Sequence, residues 1–134
     1  MSEAGIDLTG FWGGTYSYPS THPAPPVSFD AELTQAGGRL SGSITEANSF
    51  VPGGPALLRA YVDGLVEGQL VLFAKTYDGD GAIHAIAYEG EAREDGTVVE
   101  GVWRVAGQAG RFLMRRDPGD WTALGRKADA SAER

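Results

Sequence analysis

The sequence has no cysteine, only two histidines and no run of consecutive basic residues long enough to form a patch. Each absence closes a class of function. Without cysteine there is no disulfide framework and no thiolate metal site, and the usual mark of an oxidising compartment is missing. A net charge of −7 opposes nucleic acid and anionic membranes as partners, because both require a positive footprint. No stretch approaches the roughly 18 apolar residues of a membrane-spanning helix. The start, Met1-Ser-Glu-Ala-Gly-Ile-Asp, has neither the basic nor the apolar section of a secretory leader. A cytoplasmic protein is expected, with no nucleic-acid and no membrane partner. One histidine, His22, lies in a proline-rich loop and reads as solvated, so no metal site is expected. No cofactor is expected either. The Gly-x-Ser-x-Gly elbow, the phosphate loop and the dinucleotide fingerprint are all missing. Asp78-Gly79-Asp80-Gly81 lacks the later ligands and the terminal Glu of a calcium loop and reads as a hairpin turn.

What the chain does have is glycine, 20 in 134 residues, together with three Trp, five Tyr and five Phe. Turn signals recur about every ten residues, which fits an all-β domain. The organising stretch is Leu8 to Pro19. With a period of two it places Leu8, Gly10, Trp12, Gly14, Tyr16 and Tyr18 on one face, and Phe11, Gly13, Thr15 and Ser17 on the other. This alternation predicts a half-buried strand. Glycines on its aromatic face predict tight curvature or a close approach.

Seven further strands follow. Pro19 to Pro26 holds four prolines in eight residues and forms a stiff loop. The second strand, residues 27–35, points Val27, Phe29, Ala31 and Leu33 inward; Gly37-Gly38 turns into the third, residues 39–46. A long loop, 47–55, precedes the fourth strand, 56–66. Strands at 69–77, 82–93, 97–106 and 111–116 complete the set, with turns at 67–68, 78–81, 94–96 and 107–110. Eight strands in sequential hairpins close an antiparallel up-and-down β-barrel with room for side chains or one small ligand. The expected organisation is an N-terminal extension over 1–7, the barrel over 8–116 and a C-terminal tail over 117–134. The tail carries a short helix pattern with Trp121, Leu124 and Ala128 on one side.

With Gly10-Phe11-Trp12 on the first strand and Arg115-Arg116 ending the last, residues 8–116 resemble the calycin barrels: lipocalins, fatty-acid-binding proteins and avidins. In those families a Gly-x-Trp packs against an Arg from the last strand and closes the floor. Phe112, Met114 and Arg116 share a face, so the resemblance makes Trp12 and Arg116 the structural floor. The avidin branch looks nearest, because the strands form a plain meander. Its biotin contacts do not carry over, since Gly14 stands two residues after Trp12 and strands four to six hold no Trp. The chain is also similar to bacterial barrel proteins whose first strand reads Gly-x-Trp-x-Gly-x-Tyr-x-Tyr, a likeness that implies a fold and no function.

The meander fixes strand direction. If Trp12 marks the floor, odd strands rise and even strands fall, and the long connections gather at the opposite rim, the candidate mouth. The inward polar and aromatic residues are then Tyr16, Tyr18, Glu46, Lys75, Tyr77, His84, Tyr88 and Trp103. All but Tyr88 fall in the upper half, while Phe29, Leu33, Leu40, Val71 and Met114 fill the lower. Strand five is ambiguous in phase. Lys75 and Tyr77 are taken as inward, because the other choice strands one charge on an apolar outer stripe. An apolar base beneath convergent polar groups predicts a small-molecule binding pocket at the open end.

Two alternatives remain at this point. The same pocket could house a cofactor-free enzyme using acid–base chemistry of Lys75, His84 and tyrosines. Or the polar groups pair with one another as a plug, and the barrel is a filled interaction module. The outer face of strands four to six carries Leu57, Tyr61, Leu65, Leu70, Leu72, Ala74, Ile83, Ala85 and Ala87. So wide an apolar stripe predicts a covered surface, and a homodimer is the expected cover.

Overall fold

The structure, a computed structural model, describes residues 6–19, 24–47, 53, 56–78 and 85–117. Eight strands run in chain order: β1 Gly10–Ser17, β2 Val27–Ala36, β3 Arg39–Ala47, β4 Leu57–Glu67, β5 Leu70–Tyr77, β6 Ile86–Arg93, β7 Val98–Val105 and β8 Gln108–Arg116. Each pairs antiparallel with the next, and β1 pairs with β8, with Trp12 opposite Arg116 and Tyr16 opposite Phe112. The barrel is closed, so no strand edge is left open. No helix among the described residues is long and apolar enough to cross a membrane.

Alternation drives the closure. Along β2, Val27, Phe29, Ala31 and Leu33 are buried while Ser28, Asp30, Glu32 and Thr34 are exposed. On β5 the buried set is Val71, Phe73 and Lys75, so the inward phase of Lys75 holds. Leu40, Val71 and Val99 are fully buried.

Inward glycines explain how nine aromatic residues among the described ones pack into a small barrel. In the strand registers Gly14 faces Phe29, Gly64 faces Phe73, Gly101 faces Phe112 and Gly110 faces Trp103. A glycine on one strand leaves room for a ring from its neighbour, and the ring covers the backbone that the glycine exposes. A Cβ at Gly14 would lie 2.8 Å from Met114 Cβ and 2.6 Å from the Leu113 carbonyl oxygen.

Two strand boundaries and the height of one side chain differ from the sequence expectation. β8 begins at Gln108, not at 111. The loop expected over 107–110 reduces to Ala106-Gly107, with φ of 46° and 83°, the two positive values of a tight hairpin turn. Gly110 reads as a loop residue, yet it lies in the ladder because the Trp103 ring needs its missing side chain. β1 begins at Gly10, and Leu8, though fully buried, has left the sheet. Finally, Phe29 sits opposite Glu46 in the β2–β3 register, and not in the lower half, since strand tilt staggers levels that a flat meander keeps apart. Residues 82–84 of the expected sixth strand, Ile83 and His84 among them, and the tail from 118 onward lie outside the described residues.

The floor is built by Ile6 to Thr9 crossing under the barrel. Gln35 holds this segment: its side-chain oxygen accepts from the Leu8 N–H at 2.9 Å, and its amide donates to the Ile6 carbonyl at 3.0 Å. The Trp12 indole N–H donates to the Leu8 carbonyl at 2.9 Å. Arg116 lies with its guanidinium 4.7 Å from the centre of the Trp12 ring and donates to the carbonyls of Thr9 and Asp7, each at 2.7 Å. The Asp7 carboxyl is held below its usual range by the backbone and side chain of Thr9, aided by the Arg116 charge.

Candidate functional site

The upper interior holds a charged group. Glu46, at the end of β3, and Lys75, on β5, are 2% and 1% exposed, and the Lys75 ammonium donates to Glu46 Oε1 at 2.9 Å. The second carboxylate oxygen, Oε2, accepts from the Tyr16 and Tyr77 hydroxyls, both at 2.8 Å. β1, β3 and β5 rise in the same direction, so their upper ends converge and bring these four side chains together. Glu46 is thus met by three donors and one opposing charge, as a buried carboxylate requires.

Aromatic rings enclose the ammonium. Its nitrogen lies 4.5 Å from the centre of the Tyr16 ring, 4.7 Å from Tyr77 and 5.6 Å from Tyr88. These are cation–π distances, and such contacts strengthen when desolvated. Below them the Tyr88 ring stacks on Phe73 at 4.7 Å, and both meet Phe112 edge-on.

Hydrogen bonds here are unevenly spent. A lysine ammonium has three N–H donors, and Lys75 makes one hydrogen bond among the described residues. Tyr88 is 3% exposed, and its hydroxyl has no hydrogen-bond partner among the described residues. Burial pushes the Tyr88 phenol upward, helped by Tyr77 and the Glu46 charge. Burial also raises Tyr16, followed by its contacts with Tyr77 and Glu46, and raises Tyr77, followed by the Glu46 charge. All three phenols therefore stay protonated near neutral pH and act as donors. Lys75 is pulled down from its ordinary value by burial, against the opposing pull of Glu46. The Glu46 carboxylate is largely satisfied, while two ammonium hydrogens and the Tyr88 hydroxyl make no hydrogen bond among the described residues.

The layer above is half-buried. Tyr18, Tyr77, Ile86 and Val105 are partly buried and pack on the core. Tyr18 stands edge-on to Trp103 at 5.5 Å and to Tyr16 at 6.0 Å. Trp103 is buried, and its indole N–H reaches over Gly110 to the Ser17 carbonyl at 3.0 Å; it forms the wall beside Tyr18.

Of the residues named from the sequence, Tyr16, Glu46, Lys75, Tyr77 and Tyr88 meet in one cluster, with Tyr18 and Trp103 beside it. His84 lies outside the described residues. Tyr88, expected lower in the barrel, has its ring directly beneath the ammonium. Sequence reasoning passed over three contributors. Phe29 stacks against Tyr16 at 6.4 Å, and Ile86 and Val105 complete the half-buried layer. Their inward period was legible, but apolar residues on that face read as core whether they lie mid-barrel or at its end. No protein-family model matches this sequence, and no curated protein matches it.

Proposed function

We propose that this protein binds a small molecule at the open end of the barrel, with Tyr18, Tyr77, Ile86 and Val105 around the ligand and the Lys75–Glu46 cluster beneath it. The observation that carries this reading is a set of buried donors with no partner among the described residues: the remaining hydrogens of the Lys75 ammonium, beyond its bond to Glu46, and the Tyr88 hydroxyl. A buried ion pair is rarely better for stability than apolar side chains of the same volume, and an unpaired buried hydroxyl is a cost. Perturbed polar groups convergent beneath an apolar rim are what a recognition site keeps. Because the spare ammonium hydrogens can only donate, the ligand supplies an acceptor: a flat or apolar molecule bearing a carboxylate or carbonyl oxygen.

The same reading takes the chain as a calycin-like, avidin- or lipocalin-like barrel acting in the cytoplasm, free of nucleic-acid and membrane partners. The exposed Asp30, Glu32, Arg59, Asp63 and Glu67 on the outer faces of β2 and β4 support it, since a lipid-facing band tolerates such charges poorly. Catalysis by Lys75 with His84 is the competing use of this site. The 2.9 Å contact with Glu46 favours binding, because the Lys75 nitrogen is engaged with a carboxylate and is not free to attack.

Titration with a panel of aromatic and aliphatic carboxylates and ketones, followed by Trp103 fluorescence, tests the proposal. A saturable response that weakens at least about tenfold in Tyr88→Phe, the loss of one hydrogen bond to a charged acceptor, is expected. Binding that is indifferent to both Tyr88→Phe and Lys75→Met, or no binding by any member of the panel, overturns it.

A further inference from the structure

Among the described residues five large apolar side chains are well exposed: Phe11, Leu57, Tyr61, Leu65 and Leu70. Four of them lie on the outer faces of β4 and β5. Leu57, Tyr61 and Leu65 are 60%, 49% and 45% exposed. Leu65 adjoins Leu72, and Asp63 adjoins Ala74, across the β4–β5 ladder, so the apolar stripe continues onto β5. By contrast, the outer face of β2 presents Ser28, Asp30, Glu32 and Thr34.

The order of residues along β4 names the cover. Its outward positions are Leu57, Arg59, Tyr61, Asp63, Leu65 and Glu67, all exposed, and the first five form a series centred on Tyr61. The series is self-complementary about Tyr61, with a cation two residues before it, an anion two residues after it, and a leucine beyond each. Arg59 has no ion-pair partner among the described residues. Asp63 pairs with Arg39 at 3.2 Å, but both side chains are about 70% exposed, and such a pair adds little.

We infer that β4 is the centre of a two-fold homodimer interface, with the axis lying between the two facing sheets, parallel to them and perpendicular to β4 at Tyr61. That axis sets Arg59 against Asp63 of the partner subunit, Leu57 against the partner's Leu65, and Tyr61 against the partner's Tyr61. Each heterotypic contact then occurs twice, as isologous symmetry requires. Tyrosine at the centre with leucine around it has the composition of an interface core. A strand edge is not needed, since the closed barrel has none, and the two sheets pack face to face.

Sedimentation equilibrium of the full chain across micromolar concentrations tests this inference, with far-UV circular dichroism confirming that each variant folds. A dimer is expected. Arg59→Asp and Asp63→Arg, singly, should each raise its dissociation constant at least about tenfold, because like charges then face each other twice. The double variant Arg59→Asp/Asp63→Arg restores opposite charges across the axis and should return the constant to near the parent value. A monomer at every concentration overturns the inference. So does a dimer that neither single charge change weakens, or one that the double variant fails to restore. Association that appears only after residues 118–134 are removed also overturns it, and makes the C-terminal segment the cover.

Discussion

Trp12 and Arg116 face each other in the β1–β8 register, and the guanidinium lies on the indole ring while donating to the carbonyls of the segment that crosses the floor. One side chain thereby joins three things: the barrel seam, the buried Trp and the chain from Asp7 to Thr9. Arg116→Ala removes the stacking and these charged hydrogen bonds together, and should cost about 2 kcal/mol in chemical denaturation. Arg116→Lys should recover little of it, because an ammonium cannot lie flat on the ring and reach the carbonyls at once.

The Lys75–Glu46 pair predicts non-additivity. Glu46→Gln leaves a buried ammonium without its counter-charge, and Lys75→Met leaves a buried carboxylate with only two phenols. Each should cost about 3–5 kcal/mol. The double variant Glu46→Leu/Lys75→Met buries no charge, and should be more stable than either single variant by urea denaturation.

The three buried phenols separate by what their hydroxyls do. Tyr16→Phe and Tyr77→Phe each take a donor from Glu46 and should cost about 1.5–3 kcal/mol. Tyr88→Phe removes a hydroxyl that has no hydrogen-bond partner among the described residues, and should be neutral or stabilising by the same measure. The combination of unchanged or raised stability with weakened ligand binding would distinguish Tyr88 from its neighbours.

Stability should fall steeply above pH 10. The folded-state pKa values of Tyr16, Tyr77 and Tyr88 are raised, so the folded barrel keeps three protons that the unfolded chain releases at the ordinary tyrosine value of about 10. Their contribution is complete below that value and is lost as pH climbs beyond it. Lys75 has the opposite sign. Its folded pKa is depressed, so the unfolded chain binds more protons and the amine favours folding as pH rises toward about 10.4. Past that point only the phenols count. Absorbance at the phenolate band, followed against pH alongside circular dichroism, should show three of the five tyrosines ionising only when the barrel unfolds.

Much of the barrel was legible in the sequence because most strands alternate and glycine-rich turns mark most of their ends. The interior phase of Lys75 was legible for a different reason: an isolated charge on an apolar outer stripe is a worse solution than a paired charge inside. The period of two assigns a face but not a height. The stagger of a closed barrel therefore escaped, and with it the meeting of Phe29 with Glu46 and of Tyr88 with the Lys75 ammonium. The floor escaped as well. Leu8 keeps the period of β1, yet the Gln35 side chain captures its N–H and draws it off the ladder, an interaction across 27 residues that no local pattern announces.

Gly110 carries the last prediction. Its residue type and neighbours predict a loop, and the Trp103 ring lying over it explains its place in β8. A Cβ there would come within 2.6 Å of two ring atoms and would also strike the Ser17 carbonyl, the group to which the Trp103 indole donates. Gly110→Ala should therefore displace the ring, break that hydrogen bond and cost about 3 kcal/mol, the upper range for overpacking a core. Gly13→Ala is the control, because the nearest atom to its Cβ is Asp30 Oδ1 at 4.0 Å. It should shift stability by less than about 1 kcal/mol, and in the stabilising direction. Adding Trp103→Leu to Gly110→Ala should recover only part of the loss, since the backbone clash with Ser17 persists. Urea denaturation of the three variants, with near-UV circular dichroism reporting the indole, decides the matter. Equal effects at positions 13 and 110 would mean that the ring does not depend on the glycine beneath it.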